Sequence, residues 1–338
     1  MAELAFSADS HVIEDPALWD DLLPDGFWGP ERGKNFHQRA GGLDPVARVD
    51  EMAVDGVGGE VLYPSLGLRL FALEDAELQR RCFRRYNDWL AEFCRTAPDR
   101  LLGVALLPTY DIDVAVAEYE RTQRLGLRGA LVWQTPHPDL PFMGTHYDPL
   151  WAAIEASGDP LSVHILTGHN YSRQMGQPAA PGADPLATAI EAHRGSVGLK
   201  LLAVTDTLME LIFSGVFERF PDLHLILVEN EIGWLPFVLE QWDYYVDRFR
   251  QQRPLPIAKK PSEYFGDQVF ATFFRDPVGA ELLSWWGQDG CLWSNDYPHA
   301  NSTWPESQQW IADHLGHLPD PVVRRLVHDN AVALYERS

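Results

Sequence analysis

The chain alternates between two kinds of apolar pattern. Short, nearly continuous runs rich in Val, Leu and Ile are followed by longer stretches in which apolar residues return with a period of about 3.6. Eight short runs lie at Ala5–Val12, Gly59–Pro64, Leu101–Leu107, Gly129–Trp133, Leu161–Ile165, His224–Val228, Val269–Phe273 and Cys291–Ser294. Runs such as LLGVALLP and LHLILVEN, apolar at consecutive positions, fit strands covered on both faces. Between them, Asp75–Ala97, Asp111–Leu125, Thr205–Phe220 and Ile232–Arg250 read as helices. Strands followed in turn by helices predict a parallel sheet, and eight units predict a distorted (β/α)8 barrel of the TIM type with its helices outside. The 338 residues are expected to form one such domain, 1–338, with long connections after strands one and five at Pro24–Leu43 and Thr167–Gly198. Both connections are candidate lids.

Charge narrows the partners. With 49 acidic against 27 basic residues the formal net charge is -22, a field that repels nucleic-acid phosphates and anionic lipid headgroups. No stretch reaches the ~18 consecutive apolar residues of a spanning helix, and the N-terminus lacks a basic n-region. Cys82, Cys94 and Cys291 are odd in number and match no metal or redox motif. A cytoplasmic enzyme without nucleic-acid or membrane partners is expected.

In barrels of this class chemistry gathers at the C-terminal strand ends. The first strand ends in Asp9-Ser10-His11 followed by Glu14, the fifth in His164, the sixth in Val228-Glu229 and the eighth in Asn295-Asp296-Tyr297-Pro298-His299. Strand alternation sends Asp9 and His11 to one side. A lone histidine in an apolar strand is most often a core residue, and an acid at a strand end is often a helix cap. Two imidazoles and up to four carboxylates at one mouth are different, because that many buried acids repel one another unless a cation compensates them. Asp9, His11, Glu14, His164, Glu229 and Asp296 are the expected metal ligands, with Glu229, Asp296 and His299 in catalytic roles. Trp28, Phe36, Trp133, Tyr171, Trp234, Trp293, Tyr297 and Trp304 lie near strand ends and suggest an apolar pocket, although each alone reads more simply as packing.

The segments ADSHVIEDPALW, RVDEMAVDGVGGEVLYPSLGL, YNDWLAEFC, PDRLLGVALLP, FPDLHLILVENEIGWLP and WSNDYPHANSTWP resemble the second amidohydrolase family, which includes aminocarboxymuconate semialdehyde decarboxylase and related aromatic-acid decarboxylases. The resemblance spans nearly the whole chain. It implies a distorted (β/α)8 barrel and metal-ligand roles for Asp9, His11, His164 and Asp296. Two departures stand out. Asp9 occupies a place where those decarboxylases usually carry His or Glu, and Glu229 stands where they carry a catalytic His. The combination of DSHVIE, Glu229 and DYPH also resembles a nonheme diiron monooxygenase of platensimycin-type diterpenoid biosynthesis.

The leading expectation is therefore a carboxylate-rich centre with two Fe, hydroxylating a hydrophobic, terpenoid-like small molecule with dioxygen. The alternative is a hydrolase or non-oxidative decarboxylase using Zn or Mn on a carboxylate-bearing small molecule, with Asp296 or Glu229 as general base. A binding or scaffold protein on a catalytically dead barrel is the third reading, against which the intact ligand set argues. Arg48 is a candidate for a substrate carboxylate or, more simply, for helix pairing; His169 and His193 read as loop residues. Homo-oligomerisation through Thr167–Gly198 is a further expectation.

Overall fold

A computed structural model describes residues 4–28, 39–169, 182 and 184–335. Nine parallel strands appear: β1 (Ala5–His11), β2 (Val57–Tyr63), β3 (Leu101–Gly103), β4 (Ala105–Leu106), β5 (Ala130–Val132), β6 (Leu161–His164), β7 (Leu225–Val228), β8 (Val269–Phe273) and β9 (Cys291–Trp293). They form one run β1-β2-β3 and a second run β4 through β9. The two runs are continuous, because the third expected strand is simply broken at Val104: Val104 N–H donates to Leu62 O at 3.1 Å, and Ala105 N–H turns to Gly129 O at 3.2 Å. The circle closes where Asp296 N–H donates to Asp9 O at 3.1 Å and His11 N–H to Tyr297 O at 2.6 Å. The result is the eight-stranded (β/α)8 barrel, each strand within two residues of its expected bounds.

Side-chain caps set the helix starts. Asp44, Asp75 and Asp111 each accept two backbone N–H groups at the first turns of the helices Pro45–Asp55, Ala76–Cys94 and Ile112–Arg124. The expected helix Thr205–Phe220 is two helices, Val204–Phe213 and Val216–Arg219, because Gly215 at φ 72° breaks the run. The connection after β6 carries a helix of its own, Pro185–Val197. His193 is exposed on it. Phe36, Tyr171 and residues 29–38, 170–181 and 183 of the two long connections, where the expected lids and self-association segment fall in part, lie outside the described residues. Among the described residues no helix is long and apolar enough to cross a membrane, and all three cysteines are buried free thiols.

Candidate metal centre

β1 carries a bulge that shapes the site. Ser7 pairs with Glu60 and Ser10 with Leu62, so three steps along β1 face two along β2. In a regular strand Ser7, Asp9 and His11 would share one face. Here Asp9 and His11 point together into the mouth, while Ser7 and Ser10 hydrogen-bond behind them.

Four of the expected ligands meet around His11, with Asp9 and His164 in one group and Asp296 beside His299 in another. His11 Nε2 lies 3.4 Å from both Asp9 Oδ1 and Asp296 Oδ1, and His164 Nε2 lies 3.7 Å from Asp9 Oδ1. All four side chains are fully buried. Each imidazole is anchored from behind: His11 Nδ1 faces Pro64 O at 2.8 Å and His164 Nδ1 faces Ile165 O at 2.6 Å. Both Nδ1 atoms therefore donate, which leaves both Nε2 atoms as lone-pair donors aimed inward. Both oxygens of Asp9, Oδ2 of Asp296 and the two Nε2 atoms have no hydrogen-bond partner among the described residues. Such a buried set of unsatisfied anionic and lone-pair atoms is costly in an apolar barrel and fits a divalent cation.

The electrostatics agree. Burial raises the pKa of Asp9, with Asp296 adding to it and His164 opposing. Burial also pushes His11 far down, helped by the cationic rings of His299 and His164. For His164 burial opposes the charge, but the carboxylates of Asp9 and then Glu229 win and raise it.

Two further groups border the centre. Glu229, in the left-handed region at φ 59°, brings Oε2 to 3.9 Å from His164 Nε2 at the rim. His299 Nδ1 lies 2.8 Å from Asp296 Oδ1, and its Nε2 lies 3.0 Å from Ser65 Oγ. Ser65 donates its own hydrogen to Val12 O at 2.7 Å, so it accepts from His299. Burial disfavours charge on His299, yet the Asp296 carboxylate and its hydrogen bond lift the pKa to about 9. Sequence reasoning missed Ser65, although it lies in the YPSLGL stretch that carries part of the family resemblance.

Glu14 is a correction to the expected ligand set. Its Oε2 accepts Ser65 N–H and Leu66 N–H at 3.1 and 2.9 Å, and its Oε1 accepts Gly67 N–H at 2.9 Å. It ties the turn after β2 and stands apart from the converging ligand atoms. Burial moves its pKa up to about 6 against those three donors. Glu14→Gln would turn an amide NH2 or lose an acceptor towards three N–H groups; we expect about 1–3 kcal/mol lower stability in urea unfolding, with metal stoichiometry unchanged.

Arg48 is committed to the barrel interior. It is buried, with Nε 2.5 Å from Glu60 Oε2, Nη1 donating to His11 O at 2.7 Å, and its guanidinium 4.4 Å from the Tyr297 ring centroid. Most of the aromatic set also packs structurally. Trp133 and Trp293 are fully buried, Trp28 packs on Trp19 at 5.3 Å, and the indole N–H groups of Trp133, Trp234 and Trp304 donate to Phe71 O, Asn230 O and Glu51 O. Around the centre the imidazoles and carboxylates are joined by the buried Tyr63 ring, 5.3 Å from His164 and 6.3 Å from His11 between centroids. His169 is buried against His137, ring centroids 4.2 Å apart.

Fold and site together define a metal-dependent barrel enzyme. Residues 58–337 match the amidohydrolase family, and the chain belongs to it. It is similar to the gamma-resorcylate decarboxylase of Polaromonas sp., 28% identical over 316 residues that cover 87% of both chains. Among solved structures it resembles a dihydroxybenzoic acid decarboxylase from Polaromonas sp. with bound manganese and the inhibitor 2-nitroresorcinol, at TM-score 0.74 and 22% identity over 99% of this chain and 98% of that one. It also resembles 5-carboxyvanillate decarboxylase from Sphingomonas paucimobilis, at TM-score 0.72 and 23% identity over 100% of both chains. These relatives give no support to the diiron monooxygenase branch and match the alternative instead.

Proposed function

We propose that the protein is a divalent-metal-dependent, non-oxidative decarboxylase of a hydroxylated aromatic carboxylate, with manganese the preferred cation. The observation that carries this reading is the pairing of a four-ligand centre with a proton-holding Asp296–His299 couple on one of its ligands. The carboxylate excess behind the diiron reading also shrinks, since Glu14 is committed to backbone N–H groups. The activities of the similar proteins point the same way.

Asp9, His11, His164 and Asp296 would hold the cation, which supplies a Lewis acid for the substrate's oxygen atoms. The remaining chemistry belongs to the chain. Asp296 Oδ1 is tied to His299 while Oδ2 is buried without a hydrogen-bond partner among the described residues, so the couple can deliver a proton to the ring carbon that bears the carboxylate. The bond from that carbon to the carboxylate then breaks, its electron pair restores the aromatic ring, and carbon dioxide leaves. Water returns the proton to the couple. Ser65 and Asp296 fix the imidazole plane throughout, and no oxidant enters the balance.

The test is incubation of the manganese-loaded protein with 2,6-dihydroxybenzoate and 5-carboxyvanillate under strict anaerobiosis, in deuterated water. We expect carbon dioxide release at the aerobic rate with one deuterium on the vacated ring carbon. Turnover that stops without dioxygen, or a hydroxylated product, would overturn the proposal and restore the oxygenase reading.

A further inference from the structure

Behind the metal centre, where the first and last strands close the barrel, lies a buried polar network that the proposed reaction does not use. Asn295 is its node. Its Oδ1 lies 3.0 Å from Ser7 Oγ, accepts Ser10 Oγ–H at 2.8 Å and accepts Tyr297 N–H at 3.1 Å. Its Nδ2 donates to Asp55 Oδ2 at 3.2 Å and Glu60 Oε1 at 3.3 Å, and its own N–H donates to Ser7 Oγ at 3.0 Å. Beyond it, Glu60 pairs with Arg48, which donates to the His11 carbonyl, and Asp55 accepts the N–H and hydroxyl of Ser307. Asn295, Ser7, Ser10, Glu60, Arg48 and Ser307 are all fully or almost fully buried.

We propose that Asn295 is the positioning residue of the metal centre: it clamps the β1 bulge so that Asp9 and His11 face the cation in register with Asp296. The bulge explains the need. The extra residue between Ser7 and Ser10 leaves both hydroxyls against a single amide oxygen. The seam bonds of Asp9 O and His11 N–H hold the backbone beyond the bulge, and Asn295 is the side chain that meets both serines inside it; one register step would move every side chain to the opposite face. Asn295 is also the residue immediately before Asp296, so the same clamp fixes the backbone that carries the ligand from the other side of the seam. An amide is the side chain that satisfies both demands, accepting from hydroxyls on one end and donating to two carboxylates on the other. Aspartate at this position would keep the acceptor end and set a carboxylate oxygen against Asp55 and Glu60. The inference rests on the metal site and not on the reaction assigned to it.

The experiment is a double-mutant cycle on the full chain, reading the affinity for Mn2+ alone from the electron paramagnetic resonance signal of free Mn2+ during titration, with circular dichroism for folding. Asn295→Asp is expected to weaken Mn2+ binding by about tenfold or more, the usual scale for losing the support of a metal ligand. Glu60→Gln weakens it too, because the ion pair with Arg48 is lost and a single oxygen is left to serve both Arg48 and the Asn295 amide. The double variant N295D/E60Q exchanges donor and acceptor across the same contact and recovers most of the affinity. Folded single variants that bind Mn2+ as the parent does, with lower urea midpoints only, would overturn the proposal, as would losses that simply multiply in the double variant. Should N295D not fold, Ser10→Ala deletes one bond to the node, and an unchanged Mn2+ affinity there overturns it equally.

Discussion

Asp9→Asn is expected to abolish metal retention and turnover while making the metal-free protein more stable. Both oxygens of Asp9 are buried without a hydrogen-bond partner among the described residues, and Asp296 stands close by with its own charge. An ionised carboxylate so placed costs several kcal/mol after relaxation, whereas a buried unpaired amide costs about 1–3 kcal/mol. The difference predicts a gain of about 1–3 kcal/mol for the metal-free variant, measured by urea unfolding in the presence of chelator. The pH dependence fixes the sign. The folded pKa of Asp9 is raised above its ordinary 3.8, so its stabilising contribution is complete below that value and is lost as pH rises through the folded pKa. The parent protein without metal therefore weakens with rising pH over that window, and the variant does not. With Mn2+ present the order reverses, because binding stabilises only the parent. Turnover should fall by about a thousandfold or more, the rate equivalent of losing several kcal/mol of Lewis-acid stabilisation. A metal-free variant less stable than the parent would show that Asp9 is held by interactions other than those of a cation site.

The strands were legible because burial on both faces writes itself as consecutive apolar residues, and His11 and His164 were legible because imidazoles interrupt such runs. The physical limit is reached where a side chain is answered by backbone. Glu14 sits three residues beyond His11 and offers the same chemistry as a ligand, yet its partners are the amides of Ser65, Leu66 and Gly67, which carry no residue-type signature. Ser65 was invisible for the same reason. The aromatic residues misled in another way: proximity to a strand end in sequence says nothing about facing, and Trp133 and Trp293 face the core. The β1 bulge lies beyond simple alternation altogether, although the Ser7–Ser10 spacing that it serves was on display. The choice between chemistries turned on two carboxylates, Glu14 and Glu229, one of which the turn after β2 consumes.

Asp296→Asn is expected to cost about a thousandfold in kcat with the fold intact, the scale on which general-acid catalysis contributes. Asp296 adopts φ 51°, the left-handed region that asparagine enters with little penalty and alanine does not. The amide therefore preserves the backbone, the Asp9 carbonyl's hydrogen bond from N296 and the seam of the barrel. What it removes is the charge that raises the pKa of His299 and one anionic ligand of the cation, so kcat is compared at saturating Mn2+ with metal occupancy measured in both proteins. Asp296→Ala removes the same charge and adds backbone strain of about 1–2 kcal/mol. The pair of variants separates chemistry from folding: both should lose turnover of the aromatic carboxylate, while urea unfolding should show a stability loss from strain in the alanine variant only. Substrate affinity, read as protection of the folded state by added hydroxybenzoate, should fall far less than kcat in the asparagine variant. More than a tenth of parental kcat in Asp296→Asn would remove Asp296 from the proton transfer and leave that role to another group at the mouth.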